Sequence, residues 1–521
     1  MIKIDLTHNR GYKWFCRNNV FVKGYIFTPG NQLLREEKLI DYFLKTVSFA
    51  GFQEKVKQAN GLFSVVMGHG DSLWAAIDHA RSFPLFYHCN GDSFFITDNP
   101  GSLKSYSIPL VLDKNNAVIF SHSGFTTGNR TLLKDIFQLQ AGECLCYENN
   151  TLKTEFHTVF LTKTFYDKSR EALKADLKNV LEAVGKRMAE ALNGRPVAIP
   201  LSGGFDSRLV AYLLKKNHYE NVLCYTFGVK NNVETGNAKR TAANLGYDFC
   251  FIDYEKYKDV NLSHDPILND YADFASSYSA VFAEQDFLAV RELAQLHKLS
   301  KDVVFIPGNS GAVAGDLLTR EMDNHFSFTD FLVEKVFAYV YPYKNDLKII
   351  RKEIEYLDNL SEKAPPYLVY EDWRFRETTA KFGYQASKVW DYFGYEYLLP
   401  LADKDLFDFF IHTPFQHKYD KNLYKELLSE LFSEFNIYFY DEELHTSEKQ
   451  VKKVAFRSKL KKRFPFLKLF INIKKNDIIG AQYYTRSFAK DLKNAGKYRK
   501  KLCFNGVFSE WYLMKIKQHL Q

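Results

Sequence analysis

A short polar loop between two apolar segments has residue types and a spacing suited to chemistry. It reads PLSGGFDSR from Pro200 to Arg208. An apolar run at 197–199 precedes it, and a run with helical character at 209–214 follows it. This order predicts a buried strand, a tight loop and a helix.

The composition of this loop favours the binding of an anion. Two adjacent glycines, Gly203 and Gly204, let the backbone approach a ligand closely. The N–H groups of the loop and the positive end of the following helix then face one site. Ser202 and Ser207 add hydroxyl donors, and Asp206 is suited to the Mg²⁺ that accompanies a nucleotide.

The spacing differs from G-x-x-x-x-G-K-[ST] and from G-x-G-x-x-G. It resembles S-G-G-x-D-S, the pyrophosphate loop of the ATP pyrophosphatase families. That resemblance implies cleavage of ATP between its α and β phosphates, with ATP and Mg²⁺ as cofactors. The alternative is a chance Gly-Gly turn between a strand and a helix.

Length and composition are those of a globular protein with several domains. The chain has 521 residues, of which 46% are hydrophobic and 25% charged, enough for two to four cores. Its seven cysteines are scattered, and only Cys144 and Cys146 are close, where strand alternation makes them small apolar fillers. We expect a cytoplasmic protein, since no disulfide framework, signal peptide or membrane-spanning run is evident.

The net charge of +8 is unevenly distributed. Residues 449–463 hold eight Lys or Arg and no acid. This segment is either a solvated basic helix over the mouth of a polyphosphate site or a weak contact for an anionic membrane surface or nucleic acid. We favour the first reading and expect no nucleic-acid partner.

The pattern of short strands divides the chain into two parts. Residues 1–165 read as strands separated by turns, for example at 62–67, 73–77 and 93–97, which predicts an antiparallel β-rich domain. An amphipathic helix from Glu171 to Leu192 leads into the second domain, 170–521.

The core of the second domain, at about 195–316, alternates strands and helices. Strands are predicted at 222–227, 249–252 and 303–306, and helices at 234–245 and near 278–296. Such alternation predicts a parallel α/β sheet whose ligands lie at the carboxyl ends of the strands. Beyond about Asp316 the chain reads as mostly helical.

Three segments of the first domain resemble the asparagine synthetase family, whose relatives include β-lactam and carbapenam synthetases. They are Asn60–Ser64 (NGLFS), Asp78–Tyr87 (DHARSFPLFY) and Gln140–Glu143 (QAGE). The resemblance implies a four-layered αββα glutamine amidotransferase fold of the N-terminal nucleophile class. Glutamine-using members carry a cysteine after the initiator methionine, whose α-amine serves as base. Here Ile2 follows Met1 and the nearest cysteine is Cys16, so we predict a degenerate domain without glutaminase activity.

The second domain contains two further segments similar to nucleotide-binding parts of that family. Phe227-Gly228 resembles the strand end beside the adenine, and PGNSGAVAG at 307–315 resembles the second nucleotide loop. The family's magnesium-binding aspartate falls at Ala312, which cannot ligate a cation; Asp316 is a speculative substitute for it, beside Asp206. The residues predicted to bind the nucleotide are Leu201, Ser202, Gly203, Gly204, Asp206, Ser207, Phe227, Gly228, Gly308, Asn309, Ser310 and Gly311.

The resemblance also implies two catalytic residues near the C-terminus. GYEYLLPLAD at 394–403 is similar to G-x-E-x-R-x-P-F-x-D, which makes Glu396 the candidate base, with a salt-bridged glutamate as the alternative. Residues 445–450 lie where the family has R-x-K-x-x-F, so Lys449 is predicted to stabilise charge on the adenylate, with Lys452 as a register alternative. Lys421 matches a K-x-x-L-[RK] helix and is read as structural or phosphate-facing.

These features predict an ATP-dependent amide-forming ligase that acts through an acyl-adenylate and releases AMP and pyrophosphate. Its partners would be a small-molecule or peptide carboxylate and an amine, and the sequence leaves the oligomeric state open. Two alternatives remain. One is a nucleotide-binding or scaffold protein without turnover, favoured by Ile2 and Ala312, and the other is RNA modification by another pyrophosphate-loop family.

Overall fold

The computed structural model describes most of the chain. The described residues are 1–91, 93–158, 160–230, 232–295, 299–309, 314–316, 318, 319, 322, 327–438, 477, 479–497, 499, 501 and 503–520.

The first part of the chain is built mainly from strands. The strands are β1 (Ile2–Asp5), β2 (Trp14–Arg17), β3 (Val20–Phe27), β4 (Leu33–Arg35), β5 (Asn60–His69), β6 (Ser72–Ile77), β7 (Phe86–Asn90), β8 (Ser93–Thr97), β9 (Phe137–Gln138), β10 (Glu143–Glu148) and β11 (Thr151–Phe156). The helices are α1 (Glu36–Leu44), α2 (Phe49–Gln58), α3 (Lys114–Ser123) and a 3₁₀ helix at Pro100–Tyr106.

These strands form two sheets that face each other. One has seven strands, in the order β11-β10-β6-β5-β3-β2 with β4 beside β3, and the other has the order β1-β8-β7-β9. Strand alternation fills both sides of the larger sheet: Leu73 and Ile77 of β6 pack toward the smaller sheet, while Trp74 packs under α1 and α2. The predicted β-rich first domain is therefore confirmed, although β1 and β8 pair in parallel.

The second part contains a parallel sheet with helices around it. Its strands are β12 (Val197–Pro200), β13 (Val222–Gly228), β14 (Asp248–Asp253), β15 (Val304–Phe305) and β16 (Glu396–Tyr397). They run in the order β14-β13-β12-β15-β16, and every pair is parallel. This confirms the predicted α/β class.

The helices of the second part are α4 (Arg170–Leu192), α5 (Phe205–Lys216), α6 (Val233–Leu245), α7 (Pro266–Ser276), α8 (Phe287–Gln295), α9 (Phe328–Lys335), α10 (Lys344–Ile354), α11 (Tyr356–Ser361), α12 (Pro366–Arg374), α13 (Lys388–Tyr392), α14 (Lys404–His412), α15 (Phe415–Lys418), α16 (Asn422–Ser433), α17 (Ala481–Tyr484), α18 (Arg486–Asn494) and α19 (Asn505–His519). Shorter 3₁₀ segments lie at Tyr254–Tyr257, Leu262–His264, Tyr384–Ser387, Pro400–Ala402 and Tyr419–Lys421, and a π-helix spans Phe375–Gly383. Within the described residues, no helix has the length and apolar character needed to cross a membrane.

One predicted helix is wrong over half its length. The helix expected near 278–296 begins only at Phe287, because α7 ends at Ser276 and two left-handed residues follow it, Ser277 (φ 43°) and Tyr278 (φ 56°). The chain from 279 to 286 is therefore extended or irregular and not helical.

Charged side chains buried where the two parts meet have partners. Arg187 of α4 makes two hydrogen bonds of 2.7 Å to the carboxylate of Asp403, and both side chains are almost fully buried. Lys381 pairs with Glu377 at 2.6 Å and also donates to the carbonyls of Thr126 and Gly128 in the first part. Arg187 also donates to Asn31 Oδ1 of the first part at 3.2 Å, so both ion pairs lie where hydrogen bonds connect the two parts.

Candidate active site

The loop after β12 presents an open helix N-terminus. Gly204 is the N-cap residue of α5, and no side chain caps the helix there. The Ser202 and Ser207 hydroxyls lie 3.0 Å apart, and the N–H of Gly204 donates to Ser202 Oγ. The arrangement keeps the loop folded while the N–H groups of the first turn of α5 stay available to an anion.

A second loop packs tightly against this one. A Cβ added to Gly308 would lie 2.3 Å from the backbone nitrogen of Ser207, which is too close for any side chain. Asn309 follows it and donates to the carbonyl of Gly383. The structure thus brings the beginning of the second predicted loop against the first, whereas the predicted residues Ser310 and Gly311, together with Ala312, lie outside the described residues.

Arg208 fixes the shape of the first loop from behind. Its side chain is fully buried and donates to the carbonyls of Gly203 and Gly204, and it also donates to the carbonyl of Ile437 after α16. These bonds turn the two carbonyls away from the anion side of the loop. Arg208 thus positions the loop, a role that the sequence did not reveal.

Asp206 lies at the mouth of the loop with two partners. Lys421 Nζ is 3.1 Å from Oδ2, and the Tyr424 hydroxyl donates to Oδ1 at 2.8 Å. Lys421 and the preceding Asp420 both have left-handed backbones, with φ of 55° and 53°, a costly conformation that is common at functional sites. The structure thus directs Lys421 toward the loop, as a phosphate-facing lysine requires.

The same residues determine how well Mg²⁺ and a polyphosphate would fit. The uncapped N-terminus of α5 and the glycine cradle fit phosphate oxygens. Mg²⁺ commonly binds through one or two carboxylates together with substrate phosphates, and Asp206 supplies one such carboxylate. Among the described residues, no group of three or more His, Cys, Asp or Glu side chains is placed to hold a metal without those phosphates.

A cleft of about 470 Å³ opens beside the loop at the carboxyl ends of the strands. Part of its wall is the π-helix Phe375–Gly383, an uncommon element that is frequent at functional sites. The cleft is lined by Asp206, Ala283, Glu284, Gln285, Asp286, Gly308, Asn309, Asp316, Arg374, Thr378, Thr379, Phe382, Gly383, Tyr384, Ala386 and Lys421.

Asp316, the speculative metal ligand, lines this cleft but is already paired. Arg374 at the end of α12 donates to its carboxylate at 3.2 Å and to its backbone carbonyl at 3.1 Å. The pair leaves Asp316 in reach of the cleft, and its role as a ligand stays a prediction.

Two further carboxyl groups of the cleft were missed by the sequence analysis. Glu284 is only 6% exposed, and burial raises its pKa to about 8. Burial also raises the pKa of Asp286 to about 7, while the Tyr225 hydroxyl beside it acts in the opposite direction. Such shifts are typical of groups that move protons or bind charge at neutral pH.

Phe227 and Gly228 lie at the end of β13, as predicted. The Phe227 ring stacks on that of Tyr254 with centroids 5.0 Å apart, and Gly228 has a φ of 127°. The stacked rings form a flat apolar surface at the end of β13. An adenine ring can stack on a surface of this kind.

Glu396 lies away from the cleft. It begins β16, level with Val304 of β15, which is itself level with Val197 at the start of β12. This position is the amino edge of the sheet, opposite the loop. Its carboxylate pairs with Arg35 at 3.0 Å and Arg195 at 2.8 Å. The geometry therefore favours the salt-bridged alternative, and a role as base has no support here.

The other predicted catalytic residue cannot be placed. Lys449, its register alternative Lys452 and the basic segment 449–463 all lie outside the described residues.

Ile2 and Cys16, the residues on which the predicted loss of glutaminase activity rests, lie in the first two strands. Ile2 begins β1, and Cys16 is an exposed residue inside β2, paired across the strand with Phe21. An internal cysteine has no α-amine to act as base, so the absence of glutaminase activity stays a prediction.

Comparison with known proteins adds one finding that bears on function. The family model for asparagine synthase matches residues 177–303, which run from within α4 to the residue before β15. The match includes the Ser202–Ser207 loop, Phe227-Gly228 and the two buried carboxyls. No curated protein matches the chain.

Several solved structures show limited similarity. An NH₃-dependent NAD synthetase from Campylobacter jejuni is 17% identical over 38% of this chain and 78% of its own, with a TM-score of 0.19. NMN synthetase from Francisella tularensis is 15% identical over 51% of this chain and 94% of its own, with a TM-score of 0.20. A glutamine phosphoribosylpyrophosphate amidotransferase from B. subtilis is 8% identical over 64% of this chain and 74% of its own, with a TM-score of 0.19.

Proposed function

We propose that this chain is an ATP-dependent carbon–nitrogen ligase that works through an acyl-adenylate, because residues 177–303 match the family model for asparagine synthase. The placement of the Ser202–Ser207 loop at the cleft carries this proposal. Three features lie around Asp206. They are the uncapped N-terminus of α5, the residue Gly308, whose position leaves no room for a side chain, and Lys421, whose backbone is left-handed.

The first step forms the adenylate. A carboxylate oxygen of the substrate attacks the α-phosphorus of ATP, the bond to the β-phosphate oxygen breaks, and pyrophosphate leaves. The N–H groups of α5 and the loop hydroxyls receive the charge that develops on the leaving group, as preorganised donors do. Lys421 adds a positive charge on the same side, and Mg²⁺ held by Asp206 and the phosphates would offset further negative charge.

The second step forms the amide. The nitrogen of an amine attacks the acyl carbon, the bond from that carbon to the phosphate oxygen of AMP breaks, and one proton leaves the nitrogen. In this proposal the amine arrives as a free compound.

This proposal can be tested by measuring ATP–pyrophosphate exchange with a panel of carboxylates. The unaltered chain should exchange labelled pyrophosphate into ATP with at least one carboxylate, without any amine present. Asp206→Asn should lower that exchange by about a hundredfold, the effect of losing one strong electrostatic contact in the transition state. Glu220→Gln, on an exposed surface of the same domain, is the matched control and should not change it.

The same assay separates the ligase from its main alternative. ATP binding with no exchange for any carboxylate would identify a nucleotide-binding protein without turnover, the reading favoured by Ala312. Asp206-independent exchange would place the reaction elsewhere and contradict the proposal.

A further inference from the structure

The cleft contains a segment whose backbone is held by buried tyrosines. The Tyr271 hydroxyl donates to the carbonyl of Ala283 at 2.7 Å, and the Tyr254 hydroxyl donates to the carbonyl of Gln285. Tyr254 also accepts from the N–H of Ala289 at the start of α8. The segment 283–286 is therefore irregular yet fixed, since phenol groups satisfy its backbone.

Within the described residues, the two acidic side chains of this segment lack the cationic partners that Asp403 and Glu377 have. No cation pairs with Glu284 among the residues that the structure describes, and the one charged group acting on it is Asp286, of the same sign. Asp286 faces the Tyr225 hydroxyl, which in turn accepts a hydrogen bond of 3.3 Å from Trp390 Nε1. Both carboxyl groups line the cleft.

An unpaired buried carboxyl group is costly, and a folded protein normally pairs or removes it. Here the cost is concentrated at one wall of an open cleft. The cationic side chains of that cleft, Lys421 and Arg374, are already committed to Asp206 and Asp316. The wall formed by Glu284 and Asp286 thus offers two carboxyl groups that no cation in the described part of the chain pairs with, and their raised pKa values of about 8 and about 7 let them ionise near neutral pH.

We propose that Glu284 and Asp286 form the binding subsite for a positively charged primary amine, the second substrate of the proposed ligase. The identification of this amine as the nucleophile rests on the proposed function, whereas its binding does not. An alkylammonium group has three donors for two carboxyl groups, and the cleft has room for the chain that carries it.

An organic ammonium fits this wall better than a metal ion. Two carboxyl groups, without a third Asp, Glu, His or Cys ligand in the described residues, fall short of the oxygen set that Mg²⁺ or Ca²⁺ needs when no phosphate is near. The buried aromatic residues around the segment also favour an alkyl chain over a hydrated ion.

The subsite would also supply the acceptor for the first proton. The ammonium gives one proton to a carboxylate of the pair and becomes a neutral amine with a free electron pair. That pair forms the bond to the acyl carbon as AMP leaves, and a second proton passes to solvent. The account needs no other reactant.

Saturation-transfer NMR with n-butylammonium chloride tests the subsite without any turnover. We expect a signal with the unaltered chain at pH 8, no comparable signal with n-butanol, and an affinity about tenfold weaker in Glu284→Gln, as expected for loss of a charged hydrogen bond. Asp286→Asn should weaken binding similarly, and Glu220→Gln should leave it unchanged. Thermal melting of each variant reports whether the fold is retained.

Three outcomes would overturn the proposal. They are equal binding of n-butanol, unaltered butylammonium affinity in both cleft variants, and displacement of butylammonium by MgCl₂ in the absence of nucleotide, which would identify a metal site. If no carboxylate supports ATP–pyrophosphate exchange while butylammonium binding still depends on Glu284, the ligase proposal is wrong and the ammonium subsite remains supported.

Discussion

Buried charges are treated differently at the junction of the two domains and in the cleft. At the junction, the guanidinium of Arg187 meets Asp403 and the ammonium of Lys381 meets Glu377, each with additional hydrogen bonds. In the cleft, Glu284 is as deeply buried but has no cationic partner among the described residues. Paired groups hold structure together, whereas an unpaired group at an open wall is available to a ligand.

Glu396 and Glu284 show the same difference between a paired and an unpaired carboxyl group. Glu396, the glutamate indicated by the motif, has two arginine partners at the amino edge of the sheet. Glu284, which no motif indicated, lies at the carboxyl edge where ligands bind in parallel sheets. Position in the sheet and partner count therefore distinguish the two more clearly than sequence similarity does.

The largest effect is expected at the domain junction. Arg187→Met leaves Asp403 buried without its partner, which should lower the free energy of unfolding by about 3–5 kcal/mol. Arg17→Met removes exposed pairs with Glu37 and Asp41 and should cost about 1 kcal/mol or less. Urea denaturation of both variants measures the difference. Equal small losses would show that the junction is not held by its charges.

The next effect concerns the contact between the two loops. Gly308→Ala places a Cβ 2.3 Å from the backbone nitrogen of Ser207, so the loop must shift and ATP affinity should fall by about a hundredfold. Gly236→Ala in α6, where an added Cβ meets nothing within 4 Å, is the matched control. Calorimetric titration with ATP measures both. Unchanged affinity in Gly308→Ala would show that the loop tolerates displacement and does not form the site.

Lys421 and Glu396 provide a smaller and more selective comparison. Lys421→Met removes a cation beside Asp206 and should reduce carboxylate-dependent ATP–pyrophosphate exchange by about tenfold or more. Glu396→Gln weakens two ion pairs far from the cleft, so it should change exchange by less than about twofold while lowering the melting temperature. The reverse ranking of the two variants would restore Glu396 as the candidate base.

The smallest effect is a pH dependence of stability. The folded-state pKa of Glu284 is raised to about 8 from an ordinary value of 4.5, so the native chain holds a proton that the unfolded chain releases. Its contribution to stability is complete below the ordinary pKa and is lost as the pH rises toward 8. Glu284→Gln, with Asp286, Tyr271 and Tyr484 unchanged near it, should therefore gain at least about 1 kcal/mol relative to the unaltered chain between pH 5 and pH 8.

Urea denaturation of both chains at several pH values measures this gain. A constant difference across the range would mean that Glu284 is ionised in the folded protein, which would remove one half of the contrast with the junction.

Much of the fold could be predicted because local patterns agree with the final structure. The strand at 222–227, the helix at 234–245 and the loop between Val197 and Leu209 follow directly from apolar periodicity and glycine placement. Gly308, predicted from the sequence to bind the same nucleotide as the Ser202–Ser207 loop, packs against that loop in the structure.

The second half of the candidate site could not be predicted, for physical reasons. Residues 278–286 have the apolar content of a helix, and only the left-handed backbone of Ser277 and Tyr278 ends α7 early. Tertiary hydrogen bonds from Tyr254 and Tyr271, distant in sequence, then hold the extended segment. A local pattern does not contain those contacts.

Glu396 illustrates a second limit, because the sequence left open whether it is a base or a salt-bridged glutamate. Its motif was recognised, but the partners that pair with it come from β4 and from the turn after α4, 361 and 201 residues away. The sequence alone does not distinguish a catalytic glutamate from one that forms a structural ion pair.

A crystal structure with the non-cleavable analogue α,β-methylene-ATP tests the central claim most directly. The account predicts its β-phosphate against the backbone N–H groups of the Ser202–Ser207 loop, with the adenine beside Phe227. A nucleotide bound elsewhere, or one whose phosphates point away from that loop, would contradict it.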